Sequence, residues 1–125
     1  MLVHKVDAKI ELEIGGIIVV ISPLSFLDKS EILAIGENDG GMLKNQLAMA
    51  VESIKRAVKD VKGIKNEDGS PYELKFADGC LSDDCVSDLL NLEISNSIIE
   101  ACSQLVNGVP KSFGANIKVK KSKKK

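Results

Sequence analysis

The chain has one histidine, three cysteines, three phenylalanines, one tyrosine and no tryptophan in 125 residues. Each shortage closes off a class of function. The lone imidazole, His4, lies close to the first residue, so general-base catalysis by a buried histidine has no obvious seat. Cys80, Cys85 and Cys102 are an odd number with no neighbouring histidine to make up four zinc ligands; they read as reduced, packed thiols rather than a metal centre or a disulfide framework. With aromatic residues at only 3%, there are few rings for nucleobases or sugars to stack on. No apolar run approaches the roughly 20 residues that cross a bilayer, the longest being Ile17–Ile21. Met1–Lys9 mixes charges of both signs and does not read as a signal peptide, which points to the cytoplasm. The Gly15-Gly16 and Gly40-Gly41 pairs lack the wider pattern of a phosphate cradle.

Hydrophobic residues make up 44% of the chain and charged residues 28%, the balance of an ordinary folded domain with an aliphatic core. At this length one core is the expectation. The formal charge of −1 conceals an asymmetry, because six of the 17 basic residues fall between Lys118 and Lys125, leaving 11 against 18 acidic residues before them. We therefore expect one acidic domain over 1–117 and a basic, solvated tail over 118–125.

Patterning gives an α+β fold of two short β-hairpins and about four helices in the order ββααββαα. Ile10, Leu12 and Ile14 alternate with charged residues, Gly15-Gly16 supplies a tight turn, and Ile17–Ser22 follows as a strand buried on both faces and closed by Pro23. Ser25 or Asp28 caps a helix that Gly36 ends. From Met42 the longest stripe begins: Leu43, Leu47, Ala50, Val51, Ile54, Val58 and Val61. Val61–Lys65 and Tyr72–Phe76 flank an Asp68-Gly69 turn and predict the second hairpin. Ser82, followed by Asp83-Asp84, caps a third helix, and Ser95 caps a fourth that Gly108 and Pro110 end.

Pro23-Leu24-Ser25 after a strand pair, the long amphipathic helix, the run Ile64–Tyr72 and the paired later helices together resemble the tail assembly chaperones of long-tailed bacteriophages over about Lys9–Val109. The resemblance implies a non-catalytic, cofactor-free protein of the host cell cytoplasm. Such a protein coats the tape measure protein, keeps it soluble, helps recruit tail tube subunits, self-associates along its client and is lost from the mature particle. In that family a longer product often arises by frameshifting on an A-rich run, and Lys120, Lys121, Lys123, Lys124 and Lys125 are similar to such a site. Candidate client contacts are Met42, Leu43, Leu47 and Met49, because methionine and leucine adapt to varied apolar surfaces. Two alternatives stand beside this. One is a small structural virion protein for tail completion or head–tail joining. The other is a nucleic-acid-associated protein using the basic tail through counterion release, without sequence specificity.

Overall fold

The computed structural model describes residues 8–37, 41–110, 113 and 117–120. The fold is α+β. Strands β1 (Ile10–Ile14) and β2 (Ile17–Ile21) form a hairpin in which Ile14 faces Ile17 across Gly15-Gly16, both at positive φ. Next come helices α1 (Phe26–Gly36) and α2 (Met42–Ala57), then strand β3 (Val58–Lys62). A two-residue ribbon, β4 (Phe76–Ala77) with β5 (Cys80–Leu81), leads into helices α3 (Asp83–Leu90) and α4 (Ser95–Gln104). A 3₁₀ turn at Leu105–Asn107 and strand β6 (Ile117–Lys120) complete the described chain.

The main sheet is antiparallel, in the order β3-β2-β1-β6. Leu12, Val19 and Val61 form one cross-strand row, and Ile14, Ile17 and Ile117 form another. These residues share a single core cluster with Ile54 of α2, Leu89 of α3 and Ile98 of α4. On the opposite face Glu13 stands opposite Lys118, a pairing of opposite charge that favours this register.

Three expectations change. The long helix stops at Ala57, and Val58 and Val61 belong to a strand instead. Their three-residue spacing fits a helical stripe, but a register shift between Val20 and Ile21 adds a residue to β3 and returns both valines to the core face. The second hairpin is displaced. Between Ile64 and Tyr72 the turn closes on an isolated Lys65–Pro71 bridge, with the Asn66 N–H donating to the Ser70 carbonyl and the Tyr72 N–H to the Ile64 carbonyl, and no longer ladder follows because Pro71 has no donor with which to extend one. The strand pair forms later, across Asp78-Gly79, both at positive φ as a tight two-residue turn requires. Finally, Ile117–Lys120 is a sheet strand, so the expected boundary at 117/118 moves: Lys118–Lys120 complete the domain, and only 121–125 remain as the basic run, outside the described residues.

Candidate functional site

Helix α1 begins where Pro23 ends the strand. Ser25, in extended conformation, accepts from the Asp28 N–H at 3.1 Å and so satisfies one of the unpaired donors of the first turn. The helix lies along α2, fastened by Arg56. That guanidinium donates from Nε to Glu52 Oε1 at 3.2 Å and from Nη1 to Asp28 Oδ1 at 3.0 Å and to Glu31 Oε1. Farther along, Gly36 admits Met49, whose Sδ would lie 2.8 Å from any Cβ placed at position 36. This contact and the Arg56 clamp turn Ile32 into the core, the one side chain of α1 that is fully buried.

The rest of the helix is apolar on the wrong side for its own fold. Phe26 is 85% exposed, Leu27 65% and Leu33 49%. Phe26 and Leu33 are seven residues apart, two helical turns, and so share a stripe, with Leu27 and exposed Ala34 beside it. A surface helix normally turns its apolar residues to the core and its polar ones to water. Here three large apolar residues face outward beside exposed Ser30.

Of the four candidate client contacts, Leu47 is 59% exposed. It lies seven residues before buried Ile54, on the core stripe of α2 but beyond the part that the fold covers. Met49 is half-buried and packed against the core at Gly36, an internal contact. Met42 and Leu43 open the first turn of α2, and their side chains lie outside the described residues. Lys120 is the last residue of β6, while Lys121, Lys123, Lys124 and Lys125 lie outside the described residues, as does His4. Sequence patterning missed Phe26, Leu27 and Leu33. The available signal was the pair of large apolar residues directly after the cap, out of phase with Ile32.

A second surface feature is a groove between the Ile64–Tyr72 turn and α3. It consists of two adjoining cavities of about 580 and 250 Å³ that share Asn66, Tyr72 and Asp88. Its turn is held by Asp68 Oδ1, which accepts from the Ser70 N–H at 2.9 Å and hydroxyl at 2.6 Å; these bonds lower the Asp68 pKa below its usual value. Tyr72 donates its hydroxyl to Asp88 Oδ2 at 2.7 Å, and burial together with this bond raises the phenol well above its ordinary pKa. Cys85 is buried at the third position of α3, and its N–H donates to the capping Ser82 hydroxyl at 3.3 Å. Burial works upward on its thiol, but hydrogen bonding with Ser82 and Tyr72 and from the Lys75 N–H prevails and lowers it. Cys102, wholly buried in α4, is pushed up to about 12. The Tyr72 hydroxyl is engaged by Asp88.

Among the described residues, no three His, Cys, Asp or Glu side chains gather to hold a metal ion, and no helix is long and apolar enough to cross a membrane. The chain matches no protein-family profile, no curated protein and no solved structure.

Proposed function

We propose that the protein is a tail assembly chaperone. It holds the tape measure protein in soluble form in the host cell cytoplasm, helps recruit tail tube subunits and is not retained in the mature particle. The observation that carries this reading is the outward apolar face of α1. An amphipathic client helix laid along Phe26, Leu27 and Leu33 buries its own stripe against theirs, each side chain removed from water contributing about 2 kcal/mol. An open helix face demands little of its partner beyond apolar residues at helical spacing, which suits a client with many such segments. The Phe26 ring and the branched chains of α1 also stand on a backbone that Arg56 and Ile32 already fix, so the face is ordered before the client arrives.

Coexpression with the tape measure protein of the same genome tests this. The soluble fraction of that client should rise with the native chain and fall back with Phe26→Ser/Leu33→Ser. A client equally insoluble with and without the native chain, or equally well held by the double variant, would end the reading. Mass spectrometry of purified particles provides an independent check. A stoichiometric amount of this chain in the particle would assign it to tail completion or head–tail joining instead.

A further inference from the structure

The edges of the main sheet, β3 and β6, take no part in that reading. One row of side chains runs from edge to edge, Val61, Val19, Leu12 and Val119, and its two ends differ. Val61 is 5% exposed and Val119 45%, although both lie on the core face.

The first hairpin fixes which way the backbone groups point. A two-residue turn is closed by a pair that exchanges both hydrogen bonds, here Ile14 and Ile17, and bonded and unbonded pairs then alternate along the ladder. Ile10, Leu12 and Ile14 therefore turn their N–H and carbonyl groups to β2, and Glu11 and Glu13 turn theirs to β6. Through the register, Lys118 and Lys120 bond to β1, whereas the N–H and carbonyl of Val119 point away from the sheet. The same alternation across β2 points the Val61 N–H outward at the other edge. There it is already engaged: Asp60 Oδ1 accepts it at 2.8 Å, and Lys59 is the extra residue of the bulge. A bulge and a charged side chain on the edge both close a sheet to further strands. Among the described residues no side chain answers the backbone of Val119 in this way.

Strand β1, on the inner side of β6, displays what such a strand accepts. Leu12 pairs with Val119 and Glu13 with exposed Lys118, so the partner of β6 is an apolar residue flanked by carboxylates, Glu11-Leu12-Glu13. A second copy of β6 does not fit the outer side. Any antiparallel pairing of two Ile-Lys-Val-Lys strands that keeps the faces in register sets lysine against lysine, which destabilises a ladder.

We propose that the outer edge of β6 is a docking site for an extended segment of another protein, in which an apolar residue flanked on both sides by carboxylates pairs with Val119. The apolar residue extends the Leu12 row over the exposed valine, a carboxylate lies beside Lys118, and the segment's backbone takes up the outward N–H and carbonyl of Val119.

Titration of the isotope-labelled full chain, followed by nuclear magnetic resonance, tests the proposal. The probe is a capped peptide of the Ile10–Ile14 sequence, and the control is the same peptide carrying Glu11→Lys/Glu13→Lys. The acidic peptide should shift the amide signals of Lys118, Val119 and Lys120 saturably and slow hydrogen exchange at the Val119 amide about tenfold or more, with Val61 unchanged. The lysine peptide should do neither. Val119→Pro removes the outward N–H and spares the bonds to β1, so in this variant the acidic peptide should leave Lys118 and Lys120 unshifted. Circular dichroism melts show whether the variant keeps the fold, and the pair of peptides tests the native chain without any substitution. No saturable shift with the acidic peptide, equal binding of both peptides, undiminished binding by a folded Val119→Pro chain, or shifts centred on β3 or α1 would each overturn the proposal. Shifts at β6 that grow with protein concentration alone would also overturn it, by seating a second copy on the edge.

Discussion

Helices α1 and α3 start alike and finish differently. Each follows a serine in extended conformation whose hydroxyl accepts an N–H three residues on, at 3.1 Å from Asp28 and 3.3 Å from Cys85, and each has acidic residues in its first turn. In α3 the fold takes up the apolar side chains, with Cys85, Val86 and Leu89 buried and Asp84, Ser87 and Asp88 facing water. In α1 the fold takes Ile32 and leaves Phe26, Leu27 and Leu33 outside. Local chemistry thus makes both helices, and packing accounts for the apolar residues of only one. The surplus on α1 is surface that the domain's own stability does not need.

That contrast can be broken first at the buried positions. Ile32→Ala and Leu89→Ala should each cost about 3 kcal/mol, read by chemical denaturation, since both remove branched carbons from a closed interior. A cost near zero for Ile32→Ala would mean that α1 is not seated as described. Next come the caps, where Ser25→Ala and Ser82→Ala should each lose about 1 kcal/mol. Equal losses would confirm that the two helix starts are energetically matched, and a silent Ser25→Ala would separate them.

A comparable loss, about 1 kcal/mol, is expected from Tyr72→Phe, which strips Asp88 on the outward face of α3 of its phenolic donor. This variant also carries a pH signature. Because the folded state raises the phenol above its ordinary value of 10.0, the unfolded chain releases that proton first as pH rises. The native protein should therefore lose stability above about pH 10, and Tyr72→Phe should lose less over the same range in urea melts. Parallel pH profiles would contradict the burial of that hydroxyl. The smallest effect is the one that matters most for function: Phe26→Ser and Leu33→Ser should change stability by no more than about 0.5 kcal/mol. Destabilisation as large as that of Ile32→Ala would show the α1 face to be interior after all.

Much of this architecture could be read from residues. Gly15-Gly16 between two alternating apolar runs, and Ser25 and Ser82 before acidic turns, carry their geometry locally, and each forms as expected. Ser95 misses by one position, opening α4 as its first residue with Ile94 in the cap. The failures arise where two periods agree with the same residues. Val58 and Val61 suit a helical stripe as well as a bulged strand, and only pairing with β2 chooses between them. The lysines from Lys118 onward hid a strand because charge drew notice away from Ile117 and Val119, which alternate with Lys118 and Lys120 across from β1. The outward face of α1 was illegible for a different reason. A sequence shows which residues are apolar, whereas the packing that leaves some of them uncovered is decided by Arg56 and Met49, 13 to 28 positions from the residues of α1 that they touch.

Strand β6 binds β1, so the sheet joins nearly the first described residues to nearly the last. During synthesis the β1–β2 hairpin must therefore wait, with one edge unsatisfied, while roughly a hundred intervening residues emerge. Sequence-distant pairings of this kind slow folding and leave nascent chains open to mispairing. A chain whose sheet is completed this late is most exposed to mispairing in the interval before β6 arrives.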